Sequence, residues 1–171
     1  MPNFTLVEGR LSFEFKDVKS AEQYDSWQHY RGTYNSACGS SKAVDFIVCK
    51  GDEVWLIEVK DYRQNRRVKS ISLADEVALK VRDTMAGLVS TRFMGTNTDE
   101  VAHSKAALSQ KKLRVALHLE QPANPSRLFP LVDNPANIAI KLKQQLRFAD
   151  PHAKLISRRD FPANLGTVNS I

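Results

Sequence analysis

Ala43-Val44-Asp45-Phe46-Ile47-Val48-Cys49-Lys50-Gly51-Asp52-Glu53-Val54-Trp55-Leu56-Ile57-Glu58-Val59-Lys60 is the stretch whose reading decides the fold. Two apolar, β-branched runs flank a Lys-Gly-Asp-Glu turn, the pattern of a β-hairpin. A loop of Lys50–Glu53 pairs Cys49 with Val54, and a tighter loop of Gly51-Asp52 pairs Lys50 with Glu53. Both put Asp45 opposite Glu58, with Cβ atoms roughly 5 Å apart. Lys60 lies two residues beyond Glu58 and so shares its face. The other face carries Val44, Phe46, Val48, Trp55, Ile57 and Val59, all apolar. The hairpin is therefore expected to bury one face and to present two carboxylates and an ammonium on the other. Charges inside such strands are costly unless they are paired, bound to a metal or used.

A chain of 171 residues suits one domain with a real core, and residues 1–171 are read as a single domain. The 42% hydrophobic and 26% charged residues are ordinary for a soluble globular protein. No apolar run approaches membrane-spanning length. Met1–Arg10 lacks the basic-then-apolar layout of a signal peptide, so a cytoplasmic location is expected. The net charge of +6 points to an anionic partner, most simply nucleic acid, or equally to a merely basic surface. Cys38 and Cys49 form no Cys-x-x-Cys, which disfavours a disulfide. His29, His103, His118 and His152 are scattered without metal-ligand spacing, which disfavours zinc.

Around the central hairpin the chain alternates. Phe4–Val7 and Leu11–Phe15 flank Glu8-Gly9-Arg10 and read as an amino-terminal hairpin. Asp17 caps an expected helix to about Tyr30, although its marks Val18, Ala21, Tyr24 and Trp27 drift around the helix. Thr33–Ser41 reads as a loop. Ser72 with Asp75 starts a helix to about Arg92, and Asn97 with Glu100 starts another to about Lys112. Leu113–Leu119 alternates as a half-buried strand. Asn134-Pro135 opens a further helix that ends at Asp150-Pro151. Lys154–Arg158 reads as a last strand, and the tail as irregular. The order predicts an α/β fold with a sheet flanked by helices on both sides.

Asp45 on one strand and Glu58-Val59-Lys60 on its antiparallel neighbour resemble the signature of the PD-(D/E)xK, or restriction-endonuclease-like, nuclease superfamily. The resemblance implies a mixed central sheet with an αβββαβ core, here with an added amino-terminal hairpin. It covers Ala43–Lys60 closely and the flanking elements loosely. Val44 stands where the family has proline, and no clear strand is found between the first helix and Asp45. Glu14-Phe15-Lys16 and Asp17-Val18-Lys19 also match the tripeptide, but neither follows an aspartate on a paired apolar strand.

Opposed carboxylates can share one hard cation, most simply Mg²⁺ (or Mn²⁺), which polarises a phosphate and lowers the pKa of a bound water. Lys60 on the same face would orient that water or stabilise developing charge. The resemblance implies that Asp45, Glu58 and the Val59 carbonyl ligate the metal. It implies a metal-dependent nuclease that hydrolyses phosphodiester bonds, with DNA preferred over RNA. Glu22, with Glu14 as the alternative, is the candidate third acid from the first helix. Arg63, Arg66, Arg67 and Lys69 follow the strand directly, to meet phosphates or to lie in a solvated loop. Two cuts on a duplex would favour a homodimer. The rival reading is a nucleic-acid-binding module of the same fold without catalysis.

Overall fold

The computed structural model describes residues 1–171. Strands β1 (Phe4–Glu8), β2 (Leu11–Phe15) and β3 (Ser20–Gln23) lead to the short helix α1 (Gln28–Gly32). The central hairpin follows as β4 (Phe46–Lys50) and β5 (Glu53–Asp61). Then come α2 (Leu73–Met94), α3 (Thr98–Leu108), β6 (Lys112–Glu120), α4 (Pro135–Gln145), β7 (Lys154–Ile156) and β8 (Gly166–Ser170). A five-stranded mixed sheet runs β3-β4-β5-β6-β7, and a second, antiparallel sheet runs β1-β2-β8. This is the expected α/β class, with a mixed central sheet flanked by helices and an added amino-terminal hairpin. No helix is long and apolar enough to cross a membrane.

The register of the central hairpin is the one derived above, with Phe46 opposite Ile57 and Cys49 opposite Val54. Its burial differs from expectation, because both faces are covered. Val54 and Leu56 pack with Val77, Val81 and Leu142 on the helical side. Phe46, Val48, Trp55, Ile57 and Val59 pack with Leu11, Phe13, Phe15 and Val168 of the small sheet. The helices thus line one face only, and the second sheet takes the place of helices on the other. β5 and β6 pair in parallel, and parallel strands are normally buried on both sides. For the same reason β6 is buried on both faces over Val115–Glu120 rather than half-buried. Val44 does not share the Phe46 face. Asp45 precedes β4, and Val44 enters the helical-side core with its N–H donating to Thr84 Oγ1 at 3.0 Å.

The helix expected over Asp17–Tyr30 is absent. Ser20–Gln23 instead forms β3, pairing Ser20 with Cys49, and a 3-10 turn over Tyr24–Ser26 follows. Val18 and Ala21 enter one core, whereas Tyr24 and Trp27 enter the other. No single helix face could do that, which is why the apolar marks drift. β3 pairs with β4 although it precedes α1, so no strand lies between α1 and Asp45. The tail contains β8, which pairs with β2 and seats Val168 in the core. The expected caps form: the Ser72, Asn97 and Asn134 side chains accept from Asp75, Asp99 and Ala136 N–H. Glu100 does not close a capping box. Its carboxylate accepts from the Gln28 and His29 N–H groups at 2.6 and 3.1 Å and so anchors the start of α1.

Candidate functional site

Glu58 lies on the helical side near the carboxyl end of β5, with its side chain fully buried. Its Oε1 is bracketed by Lys60 Nζ at 2.5 Å and Lys80 Nζ, from α2, at 2.6 Å. Its Oε2 has no partner. Asp45 Oδ2 accepts the Val59 N–H at 2.6 Å. Val59 thus meets Asp45 through its N–H. Burial, and then the charge of Glu58, push the Asp45 carboxyl up to about 8, so it is protonated at neutral pH. Burial alone would lower the Lys60 ammonium, but the adjacent Glu58 outweighs it and raises it.

Glu76, on α2, is a second buried carboxylate in the same array. Arg67 NH1 lies at 2.6 Å, Lys69 Nζ at 2.5 Å and Lys60 Nζ at 3.9 Å. Burial pushes Glu76 up, but the bonds from Lys69 and Arg67 and the charge of Lys60 outweigh it and hold the group at about 2. Lys80, Glu58, Lys60, Glu76, Arg67 and Lys69 thus form one alternating network between β5 and α2. Glu76 and Lys80 are four apart on one helix face, and that spacing was the available signal for them.

Glu22 does not reach Asp45. It sits on β3 with Oε1 3.1 Å from His103 Nε2, facing α3 rather than Asp45. Glu14 lies on β2, beside Lys16 and Thr167. Glu8 and Asp25 come to Asp45 instead: one oxygen from each of the three lies within 4.8 Å of the others. Burial, then Asp25 and Glu58, raise the Glu8 carboxyl. Asp25 Oδ1, like Glu58 Oε2, is buried without a partner. Three converging carboxylate oxygens are the donor set a hard divalent cation takes, so the residues fit such an ion. Sequence reasoning missed this set because Glu8 arrives only when the small sheet packs on the large one, and Asp25 only through the 3-10 turn.

The four cations after β5 divide. Arg67 is committed to Glu76, to Tyr62 Oη at 3.0 Å and to the Ile71 carbonyl at 2.7 Å. Arg63 grips Asp61 through Nε and NH2 at 2.9 and 2.6 Å. Lys69 bonds Glu76 but remains half exposed. Arg66 is exposed and forms no ion pair. Three adjoining cavities follow this segment. One of about 300 Å³ is bordered by Arg66, Lys69, Leu131 and Lys141. One of about 630 Å³ is bordered by Arg63, Leu131, Arg158 and Arg159. One of about 360 Å³ is bordered by Glu8, Arg10, Asp61 and Arg63. The first two share Leu131 and the last two share Arg63, so the cavities adjoin beside the carboxyl ends of β5 and β6.

No family model and no solved structure matches the chain. The chain is 28% identical, over 177 aligned residues, to a cysteine–tRNA ligase of Neisseria meningitidis serogroup A. The alignment takes in 85% of this chain and 25% of the ligase, so the chain spans about a quarter of that relative's length. This overturns the expectation of a PD-(D/E)xK nuclease. The relative is a ligase rather than a hydrolase, and nothing found points to that superfamily or to an endonuclease acting on DNA. The geometry supplies a physical reason. Glu58 Oε1 is closed off by the Lys60 and Lys80 ammonium groups and Asp45 Oδ2 by the Val59 N–H, so Glu58 belongs to an ion-pair network under α2 rather than to an open dicarboxylate centre.

Proposed function

We propose that this chain is an RNA-binding module, with tRNA as its ligand, that uses the basic groove at the carboxyl ends of the sheet. The observation that carries the reading is the similarity of 85% of the chain to one quarter of a tRNA ligase. The net charge of +6 and the groove's exposed cations support it. Arg66 and Lys141 border one cavity without an ionic partner, so both are available to phosphates. Arg67 and Lys69, anchored on Glu76, fix the path of the loop that presents Arg66. Phosphate contacts of this kind position a nucleic acid and make its affinity fall with salt.

Gel-shift or anisotropy titration of a tRNA transcript tests this between about 50 and 200 mM salt. Affinity is expected to fall steeply with salt. Arg66→Glu combined with Lys141→Glu is expected to weaken binding by at least about ten-fold and to flatten the salt dependence. Absence of binding at low salt would remove the proposal. Equal affinity for a DNA duplex of matched length would remove its RNA component.

A second reading concerns the acidic cluster. The convergence of Glu8, Asp25 and Asp45 oxygens, with Asp25 Oδ1 buried and unpartnered, favours a site for Mg²⁺, with Mn²⁺ as a substitute. Such an ion would displace the Asp45 proton, share the three carboxylates and hold the small sheet against the large one. Its binding is expected to raise the melting temperature, by the equivalent of about 1.4 kcal/mol at ten times Kd. Glu8→Gln and Asp25→Asn are each expected to abolish that gain. An unchanged melting curve across MgCl2, MnCl2 and EDTA would exclude the ion.

A further inference from the structure

We propose that the cavity at the carboxyl ends of β6 and β7 is a seat for a single nucleotide, with the base on its apolar wall and the phosphate on its arginines. The inference deepens the RNA reading and rests on it only for the source of the nucleotide, either an unpaired residue of bound RNA or a free mononucleotide. The cavity measures about 630 Å³, within the range of small-ligand pockets. It lies at the carboxyl ends of parallel strands, where open α/β sheets characteristically bind ligands.

Its two chemistries are separate. Leu119, Leu131, Leu155 and Pro135 supply an apolar wall. Arg63, Arg158 and Arg159 supply the cationic side. Arg63 and Arg158 are held in place, because the NH1 of each donates to Ser170 Oγ at 2.7 Å. Arg63 is further fixed by Asp61, and Arg158 by Glu120 at 3.4 Å. The acids at the cavity are already engaged. Glu120 accepts from the Arg158 N–H at 2.7 Å and contacts His118 Nε2 at 3.1 Å. Asp160 Oδ1 accepts from the Ser157 N–H and Oγ–H, both at 2.6 Å. The Arg159 guanidinium has no such partner, and its charge is free to meet an anion.

That combination selects the ligand class. Inorganic phosphate would satisfy Arg159 and leave the leucine wall wet. A purely apolar ligand would cover the wall and leave the guanidinium groups unmet. A nucleotide does both, and a flat base can also stack on a guanidinium plane.

The test titrates the full chain by calorimetry with adenosine 5′-monophosphate, adenosine and inorganic phosphate, and by anisotropy with a tRNA transcript. The monophosphate is expected to bind at least about ten-fold more tightly than either fragment, since each forfeits one of the two contact sets. Arg159→Ala is expected to weaken it by about ten-fold, and Ala139→Trp, which fills the cavity, to abolish it while leaving the melting temperature unchanged. If tRNA binding weakens in the same two variants, the seat holds a nucleotide of the RNA. If tRNA binding is unchanged while the monophosphate is lost, the seat serves a free nucleotide. If tRNA fails to bind the wild-type chain while the monophosphate binds, the RNA reading falls and the seat stands. Phosphate binding as tightly as the monophosphate, equal binding by wild type and both variants, or no binding at millimolar monophosphate would each overturn the seat.

Discussion

Glu76→Gln is expected to cost about 3 kcal/mol of folding stability at pH 7 and only about 1 kcal/mol at pH 3, read from urea denaturation across that range. Glu76 is buried, and its pKa falls from 4.5 to about 2 on folding. A depressed carboxyl contributes stability that is fully present above its unfolded pKa. It is lost as pH falls through the folded value, so the window runs from about 4.5 down to about 2. Glutamine keeps the shape but cannot take the charge, and it leaves Arg67 and Lys69 without a carboxylate partner. Breaking a buried ion pair from one side is the costly direction, because the remaining charge keeps its desolvation penalty. Asp45 works with the opposite sign. Its folded value of about 8 lies above the ordinary 3.8, so the unfolded chain ionises first and stability declines as pH rises between those values. Wild-type stability should therefore peak at about pH 4, where the two windows overlap, and Glu76→Gln should remove the acid limb while leaving the alkaline one. A pH-independent cost for Glu76→Gln would mean that the carboxylate is not held by its three cations.

The central hairpin was legible to the residue because its register depends only on turn length and apolar alternation, both local. The capped starts of α2, α3 and α4 were legible for the same reason. What alternation could not reveal is what covers the second face. Val54 and Leu56 alternate with the apolar face and share the Glu58 side, yet they are core residues under α2, because β6 adds in parallel beside β5. The same non-local step decided the site. Asp45 precedes β4, outside the paired register, and its carboxylate meets Glu8 and Asp25 from the far sheet and a 3-10 turn, while Lys80 and Glu76 reach Glu58 and Lys60 from α2. A constellation read from one hairpin could not include those partners, and they turn an apparent hydrolytic centre into an ion-pair network with an acidic pit beside it. The basic segment after β5 shows the converse. Its four cations look alike in sequence, and only the acids that happen to lie beside them separate Arg67, which is half-buried and committed, from Arg66, which is free.

Gly166→Ala is expected to lose about 4 kcal/mol of stability, or to detach β8 altogether. Gly166 has φ +152°, a region costly for any residue with a Cβ, and it pairs with Phe15 of β2. A Cβ there would lie 1.9 Å from the Glu14 carbonyl oxygen, 2.9 Å from its carbon and 3.1 Å from Phe15 Cα. All three are backbone atoms of the neighbouring strand, which no rotamer change can move aside. The strain contributes about 1 kcal/mol and the overpacking up to about 3 kcal/mol. Gly9→Ala is the control. Gly9 also has positive φ, at +57°, but a Cβ there meets nothing within 4 Å, so only the backbone cost of about 1 kcal/mol is expected. Hydrogen exchange should locate the damage in β8 rather than in the central sheet. The consequence reaches the groove, because β8 ends at Ser170, whose Oγ holds both Arg63 and Arg158. Gly166→Ala should therefore weaken monophosphate binding even under conditions where the large sheet stays folded, and Gly9→Ala should not. Equal losses of stability in the two variants would show that β8 does not approach β2 as closely as its register requires, and the anchoring of the two arginines would fall with it.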